Sequence, residues 1–229
     1  ARSVLMIMSS LHQNTVNIVF WLFAWLLADS SAFSAVRDEI DKAVREEFGN
    51  FQTFIAEASL EKLDSPAFAL LNSAILETMR LATVQSGMRE ATCDLVIKDG
   101  ERTIPIRKGD YVLLDPRGTH LDKNLYPEGD RFVAGRFAES EYRGDLAATT
   151  GYPFFALGGG KHTCKGRFLA IYEIKVLAII YLSLFDITPV SRGEGLPPAW
   201  EPPEPSGQSA GTVHPKEDVF VRLYPRFVL

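Results

Sequence analysis

The chain has 229 residues, 46% of them hydrophobic and 11% aromatic, a composition that can bury a sizeable core and excludes a disordered chain. Its formal net charge of −5 supplies no basic field and excludes nucleic acid as a partner class. The two cysteines, Cys93 and Cys164, form no closely spaced pair, which excludes a sequence-local zinc site and a disulfide scaffold; both thiols are read as free, with a bridge between them left open.

The chain opens at Ala1 with no Met, no charged leader and no cleavage site, and is read as cut partway into a helix. Val4 to Ala28 is long and apolar enough to suggest a membrane span, but Ser9, Ser10, His12, Gln13, Asn14, Thr15 and Asn17 set a polar row into it that is out of place in hydrocarbon. The expectation is a helix through a protein core, apolar on all sides with one polar patch. Asp29-Ser-Ser31 is a capping cluster, and Phe33, Val36, Ile40, Val44 and Phe48 recur at helical spacing up to Gly49, predicting an amphipathic helix over 33–48. Ser65-Pro66 opens a helix running to about Thr83. Glu90 to Ile97 alternates and is followed by Lys98-Asp-Gly-Glu101, which predicts a hairpin, and Ile106 to Leu114 is a further strand. Asp115 to Pro153 is rich in Asp, Gly, Pro and Arg and is expected to be irregular with short helical pieces, a kind of segment that is usually functional. Gly166 to Phe185 reads as an apolar helix, Ser191 to Ser209 as a loop and Val219 to Pro225 as a closing strand. With no internal repeat, the sum is a mainly α chain, α+β in class, with small peripheral β-sheets.

Cys164 lies in Phe155-Ala-Leu-Gly-Gly-Gly-Lys-His-Thr-Cys-Lys-Gly166. Gly158 to Gly160 permit a tight path that a Cβ would obstruct, and Gly166 lets a group approach just past the sulfur. The loop leads into a helix, whose free N–H groups and positive dipole end favour an anionic sulfur as a soft metal ligand. A glycine-rich turn with an incidental cysteine stays open on these residues alone. A phosphate-cradling loop is a weaker alternative, because the Walker spacing and a preceding buried strand are missing.

The loop resembles the haem loop of cytochromes P450, Phe-x-x-Gly-x-Arg/His-x-Cys-x-Gly, matching at Gly160, His162, Cys164 and Gly166 and departing at Leu157, where the family usually has Phe. Two further motifs are similar in order and spacing. Glu77-Thr-Met-Arg80 puts an acid and a base on one helix face, an arrangement that by itself is commonly a solvated surface pair. Phe132-Val-Ala-Gly-Arg-Phe137 resembles the family's Phe-x-Pro-x-Arg-Phe with Ala134 for Pro, making Arg136 the third member of a buried triad. The run from Ile106 through His120-Leu-Asp to Tyr126-Pro-Glu128 is likewise similar. Gln13-Asn-Thr15 and Phe20-Trp21 look most like the branch that contains bile-acid sterol hydroxylases and prostacyclin synthase.

The resemblance implies a mainly α cytochrome P450 fold, with residues 1–229 as the C-terminal part of one catalytic domain: 1–28 the distal haem helix, 65–83 the Glu-x-x-Arg helix, 155–185 the haem-thiolate loop and its helix. It implies haem as cofactor with Cys164 as axial iron ligand and no other metal. Leu157, Gly158 and Gly166 would line the haem, while Arg89 and His162 match positions that meet its propionates. Thr15, with Asn14 in place of the usual acid, would form the proton relay, which Asn14 weakens because a carboxamide cannot act as an acid. Substrate contacts are expected at His12, Gln13, Val84, Gln85, Met88, Gly211 and Thr212. The implied reaction is insertion of one atom of O2 into a small apolar molecule of steroid, terpenoid or alkaloid type, with electrons from NADPH-cytochrome P450 reductase or an equivalent donor. An N-terminal anchor outside this chain would hold the parent protein at the endoplasmic reticulum membrane. Two rival readings are a haem-thiolate peroxide isomerase and a truncated, non-catalytic fragment.

Overall fold

The computed structural model describes residues 2–139, 153–190, 200–207 and 211–226, with side chains from Asn14 onward. Helix α1 (Arg2–Ala28) runs through the core and buries Ile18, Trp21, Leu22, Ala24 and Leu26. The polar row predicted within it includes Thr15 and Asn17, both buried. No single helix among the described residues is long and apolar enough to cross a membrane; one bent pair, Asn14–Ala28 with Ser30–Phe48 at 116°, passes by length and composition only.

Helix α2 (Ser30–Phe48) starts where Asp29 accepts a hydrogen bond from the Ala32 amide at 3.0 Å and stops where Gly49 takes φ +78°. Val36, Ile40, Val44 and Phe48 form its buried face, joined by Ala43, while Phe33 is half-buried. The sequence reading has no helix between Gly49 and Ser65. Helices α3 (Phe51–Glu57) and α4 (Leu60–Leu63) occupy that stretch, each begun by a capping side chain, Asn50 on the Thr53 amide and Ser59 on the Lys62 amide. A 3-10 turn, Pro66–Phe68, leads into α5 (Ala69–Ala82), which ends at Thr83. Its first turn has no cap of its own. Glu39 reaches over from α2 and accepts from the amides of Leu70 and Leu71 at 2.7 and 2.8 Å, covering two donors that every helix start leaves open. Burial raises the Glu39 carboxyl above its ordinary value, and the two amide bonds partly offset it.

Two strand expectations need correction. Glu90 to Ile97 is not one strand: β1 (Gly87–Glu90) ends, the chain turns through 91–94, and β2 (Leu95–Asp99) begins. The break arises because the Ala91 amide donates to the Asp110 carbonyl while its own carbonyl accepts from Gly109. Ile106 to Leu114 is also interrupted. β3 (Arg102–Ile106) and β4 (Tyr111–Leu114) flank a turn closed by the Arg107 amide on the Asp110 carboxylate, with Gly109 at φ +91°. The pairings are β2 with β3 across Gly100-Glu101 and β1 with β4, both antiparallel.

Beyond β4, α6 (Pro116–Leu121) is capped by Asp115, and turns follow to residue 139; the rest of the predicted irregular segment lies outside the described residues. Helix α7 (Arg167–Leu184) passes directly into β5 (Phe185–Pro189), which pairs with β6 (Val221–Pro225). The predicted helix end at Phe185 is thus already strand. Of the predicted loop over 191–209, residues 200–207 are described, and Pro205 forms an isolated bridge with Pro215. Helices α2, α5 and α7 pack around α1 and around one another, and their contact is the core, including Leu71, Ala74, Ile174 and Ile179.

Candidate functional site

A cavity of about 1000 Å³ lies between α1, the start of β1, the beginning of α6, the 155–166 loop and α7, at the upper end of the size usual for small-molecule and cofactor sites. One wall is the cysteine loop. Gly158 at φ +77° donates to Phe155 O, and a Cβ there would fall 2.8 Å from His162 O. The Cys164 amide donates to Leu157 O at 2.8 Å, and Thr163 Oγ1 closes the short 3-10 turn Gly160–His162 on Gly160 O. Cys164 is a free, exposed thiol that borders the cavity, as do Leu157, Gly158, His162 and Gly166; Cys93 is also free. The nearest neighbour of a Cβ on Gly166 would be Cys164 Sγ at 4.0 Å. Cys164 and Gly166 immediately precede α7, whose first turn has no side-chain cap.

Across the cavity stand Asn14 and Thr15 of α1, Thr15 buried and Asn14 exposed to the space. Asn14 Oδ1 accepts from Thr212 Oγ1 at 3.4 Å, and Asn17 Nδ2 donates to the same hydroxyl at 3.2 Å. Gly211 takes φ +105°, where a Cβ would sit 2.6 Å from Asn14 Oδ1, and its carbonyl accepts the amides of Val84 and Gln85. Trp21 Nε1 holds Val213 O at 2.8 Å. The segments 83–89 and 211–213, distant in sequence, are therefore joined along one edge of the cavity. Gln85, Met88, Gly211 and Thr212 border it, whereas Val84 does not: its side chain packs against the hydrophobic core instead. The side chains of His12 and Gln13 lie outside the described residues. Arg89 borders the cavity from β1 and donates to Met88 O.

The acid and bases of the two arginine motifs meet away from solvent. Glu77 and Arg80 have side chains 0% exposed and Arg136 6%. Glu77 accepts from Arg80 Nε at 2.7 Å and Nη2 at 2.8 Å, from Arg136 Nε at 2.9 and 3.0 Å, and from the Val133 amide at 3.0 Å. A turn at 127–131, in which Glu128 takes φ +54°, aims carbonyls at the remaining guanidinium donors: Gly129 and Arg131 to Arg80, Pro127 and Glu128 to Arg136. No charge in the cluster is left without a partner, the condition under which buried ions persist. Ser73 holds the Ala134 carbonyl and the Phe137 amide, so a hydroxyl clamp fixes the loop where no proline ring does.

Sequence reasoning gave no role to His120, Tyr126 or Lys175. His120 is fully buried; its Nδ1 lies 3.1 Å from Arg80 O, its Nε2 accepts the Phe155 amide at 2.9 Å, and its carbonyl accepts from Arg80 Nη1. Burial, helped by the Arg80 charge, lowers its pKa to about 4. The Tyr126 ring lies under the Arg80 guanidinium at 4.9 Å, and its hydroxyl donates to Pro153 O at 2.9 Å. Lys175 on α7 donates to Leu63 O and Asp64 behind the cysteine loop's helix, and burial lowers its pKa. The only sequence signal for the first two was their place in the run similar to the family's.

Among the described residues no group of three or more His, Cys, Asp or Glu side chains is gathered to hold a metal ion. A lone sulfur at the wall of a cofactor-sized space fits a metal that brings most of its own ligands, as haem iron does. Residues 1–206 match the family model described as Cytochrome P450. The chain is 31% identical over 217 residues to the 25-hydroxycholesterol 7-alpha-hydroxylase of Rattus norvegicus, covering 91% of this chain and 50% of that protein. It is 32% identical over 186 residues to Cytochrome P450 7B1 of Mus musculus, covering 78% and 36%, and 28% identical over 221 residues to the 7-alpha-hydroxycholest-4-en-3-one 12-alpha-hydroxylase of Oryctolagus cuniculus, covering 91% and 42%. The chain thus spans half or less of the length of these relatives. Its backbone is similar to the crystal structure of a cytochrome P450, CYP102L1, with a TM-score of 0.69 and 20% identity over 93% of this chain and 43% of that one.

Proposed function

The chain belongs to the cytochrome P450 family, and from that premise we propose that it is the C-terminal part of the catalytic domain of a haem-thiolate monooxygenase acting on a sterol-like molecule, with Cys164 as the iron ligand. The observation that carries the reading is the cavity itself, with a free cysteine on a glycine-lined loop at one wall and the polar patch of α1 at the other. Haem bound there would supply reductive activation of dioxygen for insertion of one oxygen atom into a C–H bond.

The chain's own residues would act around that group. Gly158 and Gly166 keep the wall beside the sulfur free of side chains, and Leu157 would offer the haem an apolar side chain in place of the aromatic ring usual there. Arg89 and His162, both bordering the cavity, would neutralise the propionates by charge-assisted hydrogen bonds. Thr15 would order water across from the sulfur, and Asn14 would orient it without supplying a proton of its own. Ile18, Met79, Met88 and Ile174 present apolar surface, and Gln85 and Thr212 present polar groups, a mixture suited to an apolar molecule bearing a few oxygens. That chemistry agrees with two of the relatives, one a hydroxylase of 25-hydroxycholesterol and the other of 7-alpha-hydroxycholest-4-en-3-one. Electrons would come from NADPH-cytochrome P450 reductase or an equivalent donor, and an N-terminal anchor at the endoplasmic reticulum membrane belongs to the same proposal.

The test is the carbon monoxide difference spectrum of the dithionite-reduced, haem-reconstituted protein beside Cys164→Ala. A strongly red-shifted Soret band that vanishes with Cys164 is expected; haem bound without that band would overturn the assignment. Asn14 in place of an acid specifically favours one second reading, a peroxide isomerase or dehydratase that requires no proton delivery. Turnover of an organic peroxide without NADPH, together with no NADPH-driven oxidation, would select it.

A further inference from the structure

We propose that His120 is a positioning residue that transmits the placement of the buried Glu77–Arg80–Arg136 cluster to the backbone leading to Cys164. The inference rests on the haem-thiolate reading only for what the loop carries. The geometry leaves the imidazole one tautomer. Because Phe155 donates its N–H to Nε2 at 2.9 Å, that nitrogen holds no proton, and the neutral ring carries its hydrogen on Nδ1, where it donates to Arg80 O at 3.1 Å. Both partners are main-chain atoms, 35 and 40 residues away in sequence.

Among the described residues neither atom has another hydrogen-bond partner. Arg80 is in the last turn of α5, where carbonyls lose their intrahelical partners, and the amide four residues on, Val84, is already given to Gly211. The Phe155 amide belongs to the first turn of the glycine loop, since Phe155 O accepts from Gly158. The ring therefore joins the end of the ion-pair helix to the first residue of the loop whose tenth residue is Cys164. Arg80 reciprocates by donating Nη1 to the His120 carbonyl, so side chain and backbone are exchanged in both directions. Tyr126 braces the arrangement from the side, edge-on to His120 with ring centres 6.2 Å apart and its hydroxyl on Pro153 O. The Phe155 ring lies 15° from parallel to the imidazole, with centres 6.5 Å apart.

A packing role alone would be met by any ring of this size. A positioning role requires an acceptor where Nε2 lies and a donor where Nδ1 lies, and the two can be separated. Gln reaches the Nε2 position and can accept from Phe155; Asn reaches only the Nδ1 position and can keep the bond to Arg80. Amide hydrogen exchange of the full chain without haem is compared for wild type, His120→Phe, His120→Gln and His120→Asn. Amides from Phe155 to Cys164 are expected to exchange about tenfold faster in the Phe and Asn variants, with α2 amides unchanged and most protection retained in the Gln variant. Should the Phe variant not fold, the contrast between Gln and Asn decides the matter. Equal acceleration in α2, unchanged loop exchange, or equal protection by Asn and Gln would overturn the proposal. After haem reconstitution, the red-shifted carbon monoxide band is expected to persist in the Gln variant and to weaken in the Asn variant, and its persistence in both would likewise refute a positioning role. A wild type without the band would withdraw the haem reading, while the exchange contrast would still decide the role of His120.

Discussion

Replacing Glu77 by Gln removes one negative charge and no volume, and tests whether the ion-pair cluster behaves as a buried unit. Among the described residues Glu77 is the one acid paired with these two guanidinium groups, and its side chain and that of Arg80 are both 0% exposed. A carboxamide offers one acceptor oxygen where the carboxylate used two, and it points an NH2 at arginine donors. Breaking a buried pair by removing one partner costs about 3–5 kcal/mol, because the loss is the penalty of an uncompensated charge and not the sum of the bonds. For a chain of this size each kcal/mol is worth roughly 2–4 °C, so Tm should fall by about 6–20 °C. Urea unfolding of Glu77→Gln, Arg136→Met and the double variant measures the coupling. The double variant should be less destabilised than the sum of the singles by about 2 kcal/mol or more, and salt should change the loss little, since a buried pair is poorly screened. A loss under about 1 kcal/mol, or strict additivity, would refute the reasoning.

Three other outcomes follow from the geometry. His120 is held neutral with its pKa lowered to about 4 from 6.5. The unfolded chain therefore binds the extra proton first, and the stability His120 contributes is full above about pH 6.5 and declines by roughly 3 kcal/mol as pH falls to about 4; urea titrations should show that slope in wild type and not in His120→Gln. Asp64→Asn should destabilise by about 1–3 kcal/mol, because the buried Lys175 ammonium exchanges a carboxylate for a neutral carboxamide; thermal unfolding at pH 7 checks it, and an unchanged Tm would refute it. Gly211→Ala should cost about 1–3 kcal/mol, because φ +105° strains any residue with a Cβ and the new methyl meets Asn14 Oδ1; a shift in the spectral titration of a sterol ligand at unchanged haem content would tie the strain to the cavity edge.

The helices were legible because their punctuation is local. Asp29 and Gly49 bracket α2, and Ser65-Pro66 precedes α5, each acting within a turn of where it stands. Helices α3 and α4 were missed although Asn50 and Ser59 were equally good caps, because seven and four residues are too short for a period to register. The strands failed at Ala91 and Gly109, where a ladder between β1 and β4, formed across the intervening hairpin, decides which residues turn. In the site, motif order located Cys164, Glu77, Arg80 and Arg136, which carry their chemistry in residue type. It overlooked His120, which acts on backbone atoms that any residue provides, and of the adjacent pair it named, Val84 and Gln85, the structure brings Gln85 to the cavity and packs Val84 against the core.

The junction between α7 and β5 has no connecting residue, for Leu184 ends the helix and Phe185 begins the strand. Arg226 locks this seam from the far end of β6: its amide bonds Leu184 O, its Nη1 bonds Leu182 O and its guanidinium pairs with Asp41 of α2. One inserted residue there would turn every later side chain of β5 to the opposite face and draw the arginine off its carbonyls. The helix that starts beside the sulfur is therefore pinned at its other end, where the seam with β5 leaves no spare residue to absorb a change of length.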